Sequence, residues 1–182
     1  MNSRRQFLEQ GSVGFLSFLL LPLPAFSNDI PGFEGLVVAE QEGETLMIRN
    51  GTTTLRIKIS KTHGSPSIGF VSESILPGEG IPVHKHLNED ELIFIHKGTG
   101  LFTLGEKQYP VSEGAVAVVP KGIWHGLQNT GSENIEMRFS YTPSGFEGFF
   151  REVGTPAGQP FVKKTVEEKR VIAQKWGIAY KV

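Results

Sequence analysis

Residues 78–98 read GEGIPVHKHLNEDELIFIHKG. His84 and His86 are two positions apart, so on a strand both imidazoles stand on the same face. Two imidazoles converging from one rigid strand can hold a transition metal. Glu91 follows five positions on, an odd offset that would turn it to the opposite face of an unbroken strand. The intervening Leu87-Asn88-Glu89-Asp90 is mostly polar and can bend, which brings Glu91 back inward. Glu89 and Asp90 compete with Glu91 as the carboxylate ligand. A third imidazole, His125, arrives on a separate strand after the turn Pro120-Lys121-Gly122. Together these residues offer three neutral nitrogen donors and one anionic oxygen. His63 and His96 lie outside the pattern and read as ordinary surface or loop histidines.

On either side of this stretch, short apolar segments are punctuated by Gly, Pro and Asn. Leu46–Arg49 leads into Asn50-Gly51, a strong tight-turn dipeptide. Leu55–Ser60 alternates apolar and polar residues, the period of a half-buried strand. Ile68–Leu76, Glu91–His96, Leu101–Leu104, Ala115–Val119 and Ile135–Tyr141 continue the series, and Gly105-Glu106-Lys107 suits a hairpin turn. Strands at this spacing predict an all-β sandwich or barrel. The 22 glycines and 11 prolines of the 182-residue chain agree with many short strands joined by turns. After Pro143 the period changes. Phe146, Phe149, Phe150 and Val153 share one helical face, with Ser144 and Glu147 as a candidate capping box. A second helix is predicted from Thr165, with Glu168 completing its box, to near Gly177. Both helices are expected to pack on the outside of the barrel, the alternative being a partner-binding surface.

Basic and acidic residues number 18 and 19, a balance that argues against nucleic-acid binding. The absence of cysteine excludes a disulfide scaffold, an iron–sulfur protein and a thiol nucleophile. Residues 1–29 read MNSRRQFLEQGSVGFLSFLLLPLPAFSND. A charged start with Arg4 and Arg5, an apolar stretch from Val13 to Leu21 and the small-residue pattern Ala25-Phe26-Ser27 have the layout of a secretory signal. The apolar stretch falls short of the roughly 18–20 residues that span a bilayer. Ser3-Arg4-Arg5-Gln6-Phe7-Leu8 resembles the twin-arginine export motif. Residues 1–27 are therefore expected to be a signal peptide of that type, against a generic secretion signal or an uncleaved anchor. The mature protein is expected in the periplasm, with no stable membrane insertion after cleavage. A twin-arginine route carries folded proteins, so a metal can be loaded before export.

Two spaced motifs strengthen the metal reading. The first runs Gly78, five residues, His84-Lys85-His86, four residues, Glu91, six residues, Gly98. The second runs Gly114, five residues, Pro120-Lys121-Gly122, two residues, His125, three residues, Asn129. In both the chain resembles the cupin superfamily, without departure at any motif position, over residues 34–143. GFEGFFREVG (145–154) and KWGI (175–178) also look like the single-domain subset termed quercetin-dioxygenase-like. The resemblance implies a double-stranded β-helix, or jelly-roll barrel, followed by a C-terminal helical extension over 144–182. It implies one divalent transition metal held by His84, His86, Glu91 and His125. Iron or manganese is favoured; nickel, copper or zinc are alternatives. In the dioxygenase branch the ligand glutamate also serves as base, which makes Glu91 the candidate catalytic residue. Asn129 reads as a structural hydrogen-bonder, and Gly78, Gly98, Gly114 and Gly122 as turn residues with positive φ.

If Glu91 faces inward, Ile93 and Ile95 should too, and Leu127 should follow His125. These three are the candidate substrate-binding residues, an apolar wall suited to an aromatic ligand. Arg138 is expected to face outward; inward it would favour an anionic substrate. The leading expectation is a metal-dependent dioxygenase acting on a small aromatic or polyphenolic compound. The alternatives are a non-oxidative isomerase, decarboxylase or lyase acting on a sugar or small acid, and a non-catalytic metal- or ligand-binding module. The open sheet edges of a small barrel make a homodimer a candidate assembly.

Overall fold

A computed structural model describes residues 35–65 and 67–181; the expected signal peptide, residues 1–27, lies outside them. In chain order the first strands are β1 (Glu44–Ile48), β2 (Thr53–Ile59), β3 (Gly69–Ile75) and β4 (Gly80–His86). Next come β5 (Asp90–Lys97), β6 (Thr99–Leu104), β7 (Lys107–Ser112) and β8 (Val116–Val119). The series closes with β9 (His125–Asn129), β10 (Ile135–Thr142), helix α1 (Glu147–Val153), β11 (Thr155–Pro156), α2 (Val166–Lys175) and β12 (Ile178–Tyr180). The larger sheet has the order β11-β1-β2-β3-β10-β5-β8 and the smaller β12-β4-β9-β6-β7. All pairings are antiparallel. From β3 to β10 the chain passes back and forth between the sheets, the winding of a double-stranded β-helix. The all-β expectation with two short helices is met. Among the described residues no helix is long and apolar enough to cross a membrane.

Period-two patterning builds the core. Leu55 and Ile57 of β2, Val71 and Ile75 of β3, Ile93 and Ile95 of β5, and Met137 and Phe139 of β10 all point between the sheets and are buried. Alternate residues on β10 face out, and Arg138 there pairs with Glu40 at 3.3 Å, outside the barrel as expected. The four motif glycines adopt left-handed φ of 79, 90, 85 and 82° at Gly78, Gly98, Gly114 and Gly122. Asn129 is a structural bridge. Its Nδ2 donates to the carbonyls of Ile75 and Glu133 at 2.8 Å, and its Oδ1 accepts from Gly131 N at 3.0 Å.

The extension after Pro143 departs from expectation in three respects. First, Ser144 does not cap α1. The helix begins after Phe146 without a side-chain cap, and Ser144 Oγ donates to the Ser65 carbonyl instead. Glu147 is turned inward, where it accepts from Tyr141 Oη at 2.9 Å and from Lys61 N and Gly145 N at 2.8 Å. Tyr141 fits because Gly69 lies opposite it; a Cβ there would sit 2.2 Å from the ring. Second, the extension is not wholly helical. β12 pairs with β4, setting Ile178 against His86 and Tyr180 against His84. Third, Phe146, Phe149, Phe150 and Val153 do not merely cover the barrel's outside; they line its cavity. The box at Thr165 forms as read: Glu168 N donates to Thr165 Oγ1 at 3.2 Å and Thr165 N to Glu168 Oε2 at 2.7 Å.

Glu147 ties strand, helix and loop together through charged hydrogen bonds. Burial pushes its carboxyl pKa up, but the backbone N–H groups and Tyr141 outweigh this and hold it below its ordinary 4.5. The stabilisation is therefore complete above that ordinary value and is lost as the pH falls through it and then through the lower folded value. We expect Glu147→Gln to cost about 1–3 kcal/mol near neutral pH. The variant should also show a shallower loss of stability than the parent between neutral pH and about pH 3, as read by urea denaturation.

Candidate metal centre

His84 and His86 project from β4, and His125 from the adjacent β9, where it lies directly opposite His84 in the ladder. Glu91 belongs to β5, in the other sheet. The odd offset is thus resolved by a crossing: Leu87–Glu89 carries the chain from one sheet to the other, so Glu91 faces the histidines across the barrel. One nitrogen from each of the three imidazoles lies within 4.8 Å of the others. His84 Nε2 stands 3.2 Å from His86 Nε2. Glu91 Oε2 stands 2.9 Å from His125 Nε2 and 3.6 Å from His86 Nε2. All four side chains are buried.

The surroundings fix which nitrogens face the centre. His84 Nδ1 lies 2.8 Å from the Pro82 carbonyl and His125 Nδ1 3.0 Å from that of Ile123. A carbonyl only accepts, so each Nδ1 carries the proton and each Nε2 presents its lone pair inward. Burial, then the neighbouring His125 and His86, push the His84 pKa down to about 3, so this imidazole is neutral at physiological pH. For Glu91 burial pushes the pKa up, but the three imidazoles that surround its carboxyl outweigh this and hold it below the ordinary range. Neutral imidazoles and an ionised carboxylate are the states that bind a divalent metal.

His125 Nε2 and Glu91 Oε2 are buried and have no hydrogen-bond partner among the described residues. Unsatisfied buried acceptors of this kind are costly, and a cation satisfies them together. Two ligand atoms bound at roughly 2.1 Å and a right angle lie about 3 Å apart, close to the spacing between the inward-facing atoms here. The residues therefore fit a divalent transition metal. Neither competing carboxylate shares the position. Glu89 lies behind His86, its Oε2 3.7 Å from Nδ1, and Asp90 accepts from Lys121 N at 2.8 Å. His63 and His96 are exposed and lie outside the cluster.

The imidazoles open onto a cavity of about 620 Å³. Ile93 and Leu127 line it, as the alternation predicts; Ile95 is buried in the core but is not part of the wall. Met137 and Phe139 add to the apolar side, and Phe146 meets His86 edge-on with ring centroids 4.5 Å apart. The polar wall residues that sequence reasoning missed include Arg49, Glu73 and Tyr180. Glu73 had a signal, since it occupies an inward position of β3 between Val71 and Ile75.

Residues 71–141 match the family described as cupin domain. The chain is 33% identical over 67 residues to an oxalate-binding protein of Thermotoga maritima, covering 37% of this chain and 55% of that protein. It is also 33% identical over 79 residues to a gentisate 1,2-dioxygenase of Ralstonia sp, covering 42% of this chain and 22% of that one. The chain thus spans about half of the first relative and less than a quarter of the second. A crystal structure of a predicted oxalate decarboxylase from Thermotoga maritima superposes with a TM-score of 0.53 at 23% identity. That superposition covers 59% of this chain and 99% of the other, and shows a shared fold.

A metal at this site should stabilise the fold by mass action. Raising a divalent transition metal to about 1,000 times its Kd is expected to add about 4 kcal/mol to the unfolding free energy. His125→Ala should remove most of that gain while keeping the fold. Thermal unfolding with and without metal, together with elemental analysis, reads both effects.

Proposed function

We propose that this chain is an exported, metal-dependent dioxygenase of the quercetin-dioxygenase-like kind, acting in the periplasm on a small aromatic or polyphenolic compound. The observation that carries this reading is the union of two features. One nitrogen from each of three imidazoles and the Glu91 carboxylate converge, and this cluster opens into a largely apolar cavity of about 620 Å³. Four protein ligands leave about two positions on a six-coordinate ion, and open positions favour chemistry over a purely structural role. A divalent metal held there, iron or manganese in the favoured case, would supply Lewis acidity and one-electron chemistry. In ring-cleaving dioxygenation both atoms of O₂ enter the product and the substrate supplies all four electrons, so no external reductant is required.

The chain's own residues then have definite tasks. Glu91 takes the hydroxyl proton of the bound substrate, as a base already held ionised. Ile93, Leu127 and Phe139 hold the aromatic body by apolar contact, and Phe146, Phe149 and Phe150 exclude water. So apolar a wall offers few hydrogen-bond partners to a sugar. Export rests on Arg4, Arg5 and the apolar stretch that follows them. A homodimer belongs to the same reading. β8 is a terminal strand of the larger sheet, and its Val116 and Val118 are exposed.

Protein purified from its exporting host should carry a redox-active metal and consume O₂ with one member of a panel of phenolic compounds. A zinc-only protein with no O₂ uptake would overturn the oxygenase reading. Glu91→Gln, reloaded with the same metal, should slow turnover by about 10²–10⁴-fold. Unchanged turnover would remove Glu91 as the base. Sedimentation at micromolar concentration should give twice the mass of the mature chain, and a monomer would remove the dimer.

A further inference from the structure

The cavity has a second polar pole. Glu73 occupies an inward position of β3, where its neighbours in phase, Val71 and Ile75, are apolar core residues. It is 6% exposed and lines the cavity. Its Oε1 accepts a hydrogen bond from Arg49 Nη2; its second oxygen accepts none from a described residue. Arg49 is held in place by Nη1, which donates to the Gly80 carbonyl at 2.9 Å, and its Nε lies 4.0 Å from Glu79 Oε2. Arg49 adopts φ 49°, a left-handed backbone that only a minority of non-glycine residues show. In the ladder, Glu73 lies opposite Met137 and Glu91 opposite Tyr141, both on β10. Glu73 and Glu91 are therefore two strands and four residues apart, roughly 16 Å between Cα atoms at ordinary strand spacings, and burial, with a smaller push from the Glu91 charge, raises the Glu73 pKa against the pull of Arg49.

Glu73 is not among the clustered imidazoles, and stability alone does not explain its burial beside Arg49. A buried ion pair is a weak stabiliser compared with apolar residues of similar volume, and a strained backbone adds to its cost. We propose that Glu73, positioned by Arg49, accepts a hydrogen bond from a neutral hydroxyl of the substrate, at the end away from the metal. The inference rests on the proposed substrate cavity and narrows its ligand to an apolar-bodied molecule with a chelating group at one end and a hydroxyl at the other. A carboxylate does not fit that position. The Arg49 charge is already matched by Glu73, with Glu79 4.0 Å from its Nε, so a further anion there would add unpaired negative charge. The anion would also meet the charges of Glu73 and Glu91. Lys169, Arg170 and Lys181 border the cavity on its C-terminal side; Lys181 and Arg170 are exposed, and Arg170 lies 3.7 Å from Glu167. Solvent and salt screen such rim charges.

Three matched ligands test this: biphenyl-3,4-diol, biphenyl-3,4,4′-triol and 3′,4′-dihydroxybiphenyl-4-carboxylate. All share a chelating catechol and an aromatic body and differ only at the far end. Their affinities for the metal-loaded protein are measured by calorimetry without O₂. The triol is expected to bind about tenfold more tightly than the diol, and the carboxylate more weakly than the diol. In Glu73→Met the triol's advantage should vanish. Equal binding of triol and diol to the parent protein would overturn the proposal. Tightest binding by the carboxylate, or an advantage that survives in Glu73→Met, would do the same. Diol binding without discrimination leaves the cavity reading standing and removes only the second pole. Failure of all three to bind removes the cavity reading and the pole with it. The comparison on the parent protein needs no variant to fold.

Discussion

Between His86 and Glu91 the chain leaves one sheet and enters the other, and the three residues of that crossing set up everything at the site. Consecutive strands of a flat sheet would present His86 and Glu91 side by side or on opposite faces. Strands in facing sheets present them to one another across the interior. The pairing of β4 with β9 then adds His125 opposite His84, a contact fixed by register. Because side chains alternate strictly along a strand, a slip of one residue in that ladder would turn His125 out of the barrel. The site's geometry is thus a property of register and crossing, both enforced by the apolar alternation of the strands.

The extension completes what the barrel leaves open. An eight-strand winding with a polar cluster at one end exposes that cluster to water. Here α1 and the Phe146 that precedes it bring three phenylalanines to the cavity, and β12 runs beside His84 and His86. What fixes α1 is not a cap but the inward-turned Glu147, reached by Tyr141 through the space that Gly69 leaves. The same glutamate accepts from the loop at Lys61, so helix, strand and loop are coupled through one carboxylate. Loss of any one bond leaves the others to hold a buried charge, which makes the hub cooperative.

The fold and the four converging side chains were legible because their signals are local. Period-two alternation marks strands, and His84, His86, Glu91 and His125 stand at spacings tied to turns at Gly78, Gly98, Gly114 and Gly122. The choice of Glu91 over Glu89 and Asp90 needed the crossing, which no spacing reveals. The helical period of Phe146, Phe149, Phe150 and Val153 was equally plain. What it could not carry was the side of the barrel against which that face packs, since an apolar stripe is satisfied by any apolar surface. Ser144 and Glu147 match the capping pattern yet do not cap. A buried tyrosine hydroxyl and two backbone N–H groups compete for the same carboxylate, and tertiary contacts override the local motif. Ile95 was assigned to the wall by phase alone; phase gives the face of a strand, not the position along the cavity.

Glu73 and Arg49 show why polar groups inside a barrel carry more information than its apolar ones. The apolar residues of β3 and β10 would be selected for packing whatever the cavity held. The histidine cluster leaves lone pairs of His125 and Glu91 facing each other without partners, an arrangement that hydrophobic burial opposes and a cation relieves. By the same logic, a carboxylate in the apolar phase of β3 demands a compensating cation, and Arg49 supplies it from a backbone conformation that costs energy. Two separate departures from an apolar interior therefore occur in one cavity, each with its own local compensation. A molecule that satisfied both at once would have to be polar at its two ends and apolar between them, and the wall of Ile93, Leu127, Met137 and Phe139 runs along that interior.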